Sequence, residues 1–302
     1  MPGLKKPESG FPHQDNHPTA NIKAALVLNS AFIILETVGG ILTNSMAILS
    51  DALHDLGDSL SLGLAWYFQK LSGQRKDKLF SFGYKRFSLM GAVINSMVLL
   101  VGSILVLNET IPRLFNPEPA DAKGMFILAL LGVAVNGMAA LRLGKGNSIN
   151  ERVVSLHLWE DVLGWLAVLI GSVVMIFIEL PVIDPILSVV ITLFILFNIY
   201  KNLKNSFRVF LQGVPADTDI DLIEKQVLSL PGVDSIHDIH VWTLDGQYNI
   251  LTLHLVLKEI NDYQRIKKMK QHIKRLLKDQ NINHITIEID KTDDECFLEE
   301  CK

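Results

Sequence analysis

Long apolar stretches recur over the first two-thirds of the chain, separated by short polar segments, and they stop near residue 210. Six of them approach the roughly 20 residues that a bilayer-crossing helix needs. In order they are "IKAALVLNSAFIILETVGGIL", "SMAILSDALHDLGDSLSLGLAWYF", "FSLMGAVINSMVLLVGSILVL", "GMFILALLGVAVNGMAALRL", "VVSLHLWEDVLGWLAVLIGSVVMIFI" and "VIDPILSVVITLFILFNIY". After Gly213 and Pro215 the period changes. "DIDLIEKQVLSL" has helical spacing and stops at Pro231-Gly232. "SIHDIHVWTL" and "QYNILTLHLVL" are extended runs joined by Asp245-Gly246, a two-residue hairpin signal. A basic amphipathic helix, "YQRIKKMKQHIKRLLK", and a short strand, "HITIEI", follow. The pattern predicts an α-helical membrane protein: a six-transmembrane-helix bundle, then a small cytoplasmic α+β domain. That domain has the order αββαβ, a three-stranded sheet with helices on one face. The expected boundaries are a disordered cytoplasmic segment at 1–19, the membrane domain at 20–208, the tail domain at 209–292 and a terminal tail at 293–302.

Composition agrees with this division. Of 302 residues, 49% are hydrophobic and only 20% charged, with a mean hydropathy of +0.30. A net charge of −4 offers nucleic acid nothing to bind. The polar opening "MPGLKKPESGFPHQDNHPTAN" lacks the apolar core of a cleavable signal peptide. Cys296 and Cys301, both in the terminal tail, are the only cysteines, so no disulfide framework is expected. Basic residues set the orientation. Arg75, Lys76, Lys78, Lys85 and Arg86 follow the second span, Lys145 and Arg152 the fourth, and Lys201, Lys204 and Arg208 the sixth. The alternate loops carry few, which places both termini in the cytoplasm.

Against this apolar background the second span carries Asp51, His54, Asp55 and Asp58. Each Asp near the middle of a membrane helix costs about 2.5–3.5 kcal/mol on insertion scales. His54 and Asp58 are four apart and share one helix face, and the fifth span repeats the spacing with His157 and Asp161. Two such helices can deliver two imidazoles and two carboxylates to one point, a tetrahedral N2O2 set suited to Zn²⁺. The bland alternative is interhelical hydrogen bonding, which a duplicated spacing of four ionisable groups disfavours. Asp51, on the face of His54, is a candidate supporting or access-path group, whereas Asp55 lies about 100° away around the helix. Glu160 is read as a cavity-edge carboxylate with a proton-relay role as the other option. Asn95 and Asn136 are read as interhelical hydrogen-bond donors, and Glu36 and Asp184 as packing or topology residues.

Six spans, His-x-x-x-Asp in the second and fifth, and "GVDSIHDIHVWTL" in the tail resemble the cation diffusion facilitator family over nearly the whole chain. The resemblance implies a homodimeric exporter that exchanges divalent metal for protons, with His54, Asp58, His157 and Asp161 as transport ligands. A histidine rather than a carboxylate at position 54 implies zinc, with cobalt and cadmium as companions. It implies also that the tail is metallochaperone-like. The segment "GKGNSIN" lacks the histidine-rich insertion of many eukaryotic members, which implies a multi-pass protein of the bacterial inner membrane.

A second centre is expected in the tail. A two-residue turn at Asp245-Gly246 sets His237 opposite His254, with Cβ atoms about 4.5–5.5 Å apart. Strand alternation puts Thr286, Glu288 and Asp290 on one face. In similar tail domains the positions of His237, His254 and Glu288 hold metal; the alternative is a solvated histidine pair. His240 is expected on the opposite face, packing beside Trp242. Cys296 and Cys301 are either added ligands or reduced thiols, and His13 and His17 are weak candidates for metal delivery. A competing reading of the whole is a membrane-anchored zinc sensor. No HExxH helix and no G-x-x-x-x-G-K-[ST] loop is present, so neither a metalloprotease nor an ATP-driven pump is indicated, and no enzymatic role is expected.

Overall fold

The computed structural model describes residues 17–144, 149–258 and 263–290. His13, Cys296 and Cys301 lie outside the described residues, as does the side chain of His17. Long helices occupy each place where a span is expected: α1 (His17–Thr43), α2 (Met46–Ser72), α3 (Phe87–Phe115), α4 (Ala122–Leu143), α5 (Ile149–Ile178) and α6 (Ile183–Phe210). Four of them, α3 to α6, are long and apolar enough to cross a bilayer. The described apolar part of α1 runs from Ser30 to Thr43. In α2 the apolar run is broken by Asp51, Asp55 and Asp58. Ile34, Leu42, Ile104, Leu105 and Phe177 are exposed, as side chains facing lipid would be.

The chain divides into two compact units, the first formed by the described parts of Met1–Leu60 with Val98–Phe197. Its core joins Phe32 of α1, Ala47 and Ile48 of α2, Met125 and Ala129 of α4, and Trp165, Val168 and Met175 of α5. Trp165 is fully buried and meets Phe32 edge-on at 5.7 Å between ring centroids. Room for the indole comes from Gly132, where an added Cβ would sit 2.2 Å from Trp165 Cδ2. The connection from α1 to α2 is two residues long, with Asn44 at φ 53°. Arg113 of α3 holds it by donating to the Asn44 carbonyl (3.2 Å) and to Asn44 Oδ1 (2.9 Å). The buried amides expected to donate between helices do so incompletely: Asn136 Nδ2 has no hydrogen-bond partner.

The second unit holds Ser61–Met97 and the described part of Asn198–Lys302. Its sheet domain comprises α7 (Ile220–Leu228), β1 (Val233–Thr243), β2 (Asn249–Leu257), α8 (Tyr263–Lys278) and β3 (Ile282–Asp290), the expected αββαβ order. Strand order is β1-β2-β3, with β1/β2 antiparallel and β2/β3 parallel. Ile223 and Val227 of α7 and Ile273 and Leu277 of α8 bury against Leu251, Leu253, Leu255 and Leu257 of β2. Alternation then leaves the other face of β2, with His254, free of helices. The segment between α2 and α3 is ordered by Asp77, whose Oδ1 accepts from the Leu79 and Phe80 amides and whose Oδ2 accepts from the Tyr84 hydroxyl. The same segment touches the sheet domain. Lys85 Nζ lies 3.9 Å from Asp245 Oδ2 and 4.5 Å from the Tyr248 ring centroid, and Phe82 meets His284 edge-on.

The hairpin corrects one expectation. Its first pair is Thr243 opposite Asn249, so Leu244 to Tyr248 form a longer loop than the expected two-residue turn. Asp245 Oδ1 accepts from the Gln247 and Tyr248 amides, and Thr243 Oγ1 from the Gly246 amide, which opens the turn. That shifts the register by one residue, and a bulge between His237 and His240 shifts it back. His237 therefore does pair with His254, for a different reason from the one the turn suggested.

Candidate metal centres

Helix spacing brings the four intramembrane residues near one another in pairs, although no three of them have donor atoms all within 4.8 Å of one another. His157 Nε2 of α5 lies 3.1 Å from Asp58 Oδ2 of α2 and 4.0 Å from Asp161 Oδ2. His54 Nε2 lies 3.7 Å from the same Asp58 oxygen. The His54 and His157 rings are 6.2 Å apart, near perpendicular, and Phe194 of α6 stands against the far edge of His54. Zinc bonds of about 2.0–2.2 Å place tetrahedral ligands roughly 3.3 Å from one another, and the three distances bracket that value.

The polar atoms at this point do not satisfy each other. Asp58 Oδ2 is buried without a well-formed hydrogen bond, as is Asp161 Oδ1. Unpaired buried carboxylate oxygens are costly, and a cation between the helices removes that cost. Access is graded: Asp161 is only 3% exposed, Asp58 29% and His157 37%. Glu160 Oε2 stands 3.8 Å from His157 Nδ1, and its side chain is 65% exposed.

Three more carboxylates are buried in this unit. Asp51 and Asp55 of α2 and Glu36 of α1 have almost no exposure, and each has at least one oxygen without a hydrogen bond. Glu36 interacts electrostatically with Asp55, Asp51 and Asp161. Helix-wheel reasoning separates Asp55 from His54, and no spacing rule could have shown that α1 turns Glu36 towards the same acids.

The tail centre lies on the helix-free face of the sheet. His237 and His254, paired across β1 and β2, have ring centroids 5.1 Å apart. Asp290 Oδ2 sits between them, 3.1 Å from His237 Nε2 and 2.9 Å from His254 Nδ1. Among the described residues His237, His254 and Asp290 are the group whose donor atoms all fall within 4.8 Å. Glu288, the carboxylate expected here, is 67% exposed and reaches only His254, at 3.6 Å. Alternation puts both acids on the correct face. The parallel register sets Glu288 beside His254 and Asp290 beside Val256, so strand pairing alone favours Glu288. Asp290 meets the ring pair because its side chain reaches back diagonally between the two imidazoles.

Asp238 is the ligand-type residue that sequence reasoning missed. At φ 52° in the bulge it escapes strand alternation, and its Oδ2 comes 3.4 Å from His254 Nε2. Its Oδ1 pairs with His240 Nε2 at 2.7 Å. His240, expected to pack beside Trp242, is instead 64% exposed and tied to this acid. The only signal was an Asp in "HDIH", since Asp tolerates the left-handed region better than most residues.

Helices long and apolar enough to cross a bilayer, followed by a small sheet domain, define a multi-pass membrane protein with a separate tail domain. Comparison with known proteins identifies the class. Residues 22–211 match the family model of the cation efflux transmembrane domain, and residues 215–292 that of the cation efflux protein cytoplasmic domain. The chain belongs to the cation efflux family, the cation diffusion facilitators. It is 36% identical to the metal cation efflux system protein CzcD of Cupriavidus metallidurans, over 93% of this chain and 90% of the relative. It is 32% identical to the cadmium, cobalt and zinc/H(+)-K(+) antiporter of Bacillus velezensis, over 92% and 91%. Identity is also 32% to the zinc transporter ZitB of Yersinia pseudotuberculosis, over 88% and 86%. Among solved structures, the metal-bound C-terminal domain of the CzcD transporter from the same Cupriavidus species is 35% identical. That match covers 24% of this chain and 99% of the other, with a TM-score of 0.22.

Proposed function

We propose that this protein exports divalent transition metal from the cytoplasm in exchange for protons, with zinc as the main substrate and cadmium and cobalt as companions. Its ligands are His54, Asp58, His157 and Asp161. The carrying observation is the approach of His157 Nε2 to Asp58 Oδ2, two ligand atoms on different helices, beside carboxylate oxygens that are buried and unbonded. The relatives named for zinc, cadmium and cobalt transport support the choice of ion. All six long helices cross the bilayer in this reading, both termini lie in the cytoplasm, and the membrane is the bacterial inner membrane. The chain works as a homodimer and as a transporter rather than an enzyme.

Coupling follows from competition for the same lone pairs. Zinc requires a neutral imidazole and ionised carboxylates, so each proton bound displaces metal. When the site opens to the more acidic outside, protonation of His54 and His157 releases the ion. When it opens to the cytoplasm, loss of those protons restores the N2O2 set. The His237–His254–Asp290 group is a second, cytoplasmic zinc site with a regulatory role. It also supports the runner-up, a membrane-anchored sensor.

The deciding experiment is zinc flux into proteoliposomes oriented to report export, with and without a proton gradient, for the wild type and Asp161→Ala. Gradient-dependent flux that disappears in a folded Asp161→Ala variant supports the exporter. Equal flux in both removes Asp161 from the site, and zinc binding without flux in the wild type favours the sensor.

A further inference from the structure

Helix α2 presents two of the transport ligands, and its helical phase decides where they point. At 100° per residue, a slip of one position swings a side chain by more than a quarter turn. What holds that phase is a stripe on α6. Asp184, Ser188 and Thr192 follow one another at four-residue intervals and so share a face. On α2, Ser50, His54 and Asp58 form the matching stripe.

The two stripes are joined end to end. Asp184 Oδ1 accepts from the Ser45 hydroxyl at 2.5 Å and from the Ala47 amide at 3.1 Å, while Oδ2 accepts from the Met46 amide at 2.8 Å. Ser45 Oγ in turn accepts from the Ile48 amide. One carboxylate on α6 therefore satisfies two of the orphan donors that begin α2, the Met46 and Ala47 amides, and holds the Ser45 side chain that caps a third. One turn further, Ser188 Oγ lies 2.7 Å from Ser50 Oγ and 3.0 Å from Thr110 Oγ1 of α3, and Thr192 Oγ1 stands 3.4 Å from Ser50 Oγ. Ser50, Thr110 and Thr192 donate to carbonyls of their own helices, which leaves Ser188 as the donor across the helices. The next turn of α2 is His54, packed against Phe194 of α6. Asp184 is 2% exposed, and Ser45, Ser50, Thr110, Ser188 and Thr192 are fully buried. Bonds of this kind between fully buried groups admit few alternative registers.

We infer that Asp184, acting with Ser188, is a positioning residue for transport. It fixes the start and rotation of α2 and so holds His54 and Asp58 in ligating range of His157. This rests on the proposed transport site but assigns no ligand role to Asp184. The test uses the full-length protein. Zinc binding that is lost in Asp161→Ala defines the intramembrane component, and that component is measured by calorimetry beside zinc-dependent flux. Asp184→Ala is expected to weaken intramembrane zinc affinity and raise the flux KM by about tenfold, the lower end of what loss of a ligand-orienting partner costs, with the maximal rate at saturating zinc retained. Asp184→Asn, which keeps one carbonyl acceptor for the α2 amides, is expected to fall between. Ser188→Ala shifts KM in the same direction and leaves the cap intact should the Asp184 variants not fold. Unchanged affinity and KM in folded variants would overturn the inference, as would a lost maximal rate with KM intact, the result of Asp184 carrying ions itself. A wild type that binds zinc but moves none would sink the exporter reading alone, because the affinity comparison still decides the positioning role.

Discussion

His157 Nε2 on α5 lies 3.1 Å from Asp58 Oδ2 on α2, the shortest of the His–Asp approaches among the four intramembrane residues proposed as ligands. Each helix alone offers one His and one Asp, 3.7 Å apart on α2 and 4.0 Å apart on α5, which is half of a tetrahedral set. Asp58→Asn removes the charge that both imidazoles approach. Its intramembrane zinc affinity is expected to fall by more than about 100-fold, beyond what loss of an outer partner costs. Calorimetric titration of the purified protein checks this, and near-normal affinity would dissociate Asp58 from the site.

In the tail the contest is between Asp290 and Glu288. Asp290→Ala is expected to lower tail zinc affinity by at least about tenfold, because its Oδ2 meets both imidazoles. Glu288→Ala should cost less, since this side chain is largely exposed and reaches one ring. Both are measured on a full chain carrying Asp161→Ala, where intramembrane zinc is already weakened. The reverse ranking would make Glu288, the strand neighbour of His254, the ligand in place of Asp290.

The segment before α3 is sensitive to acid. The Phe80 amide first, then the Tyr84 hydroxyl and the Leu79 amide, hold the Asp77 carboxyl below its usual pKa. The same contact raises the Tyr84 hydroxyl. A depressed carboxylate stabilises its turn above its unfolded pKa, about 3.9, and that support is lost as pH falls through the folded value. Hydrogen exchange of Leu79 and Phe80 should therefore keep its protection from neutral pH down to about 4 and lose it below. In Asp77→Ala the protection should be weak at every pH.

Packing around Trp165 leaves no slack. An alanine at Gly132 would place its Cβ 2.2 Å from the indole, and the ring is fully buried against Phe32. Gly132→Ala is expected to destabilise the protein by about 1–3 kcal/mol through overpacking. Thermal unfolding in detergent would show a lowered midpoint, and an unchanged one would mean that the indole has room to shift.

Much of this protein was legible in its residues because the decisive signals are local. Apolar run length marks helices that need a bilayer, and a four-residue interval alone puts His54 with Asp58 and His157 with Asp161. Period changes after Gly213 announce the αββαβ domain. Features that depend on residues distant in the chain were not legible. That Asp290 meets both histidines follows from the direction its side chain takes, since the β2–β3 register sets Glu288 and not Asp290 beside His254. Asp238 joins them because a bulge breaks the alternation on which strand reading relies. Asp184 reads in sequence as a topology residue, yet it caps a helix more than 130 positions earlier. Local spacing thus determined which side chains can share a face, while tertiary packing decided which faces meet, because contacts between elements depend on register and rotation that no short stretch encodes.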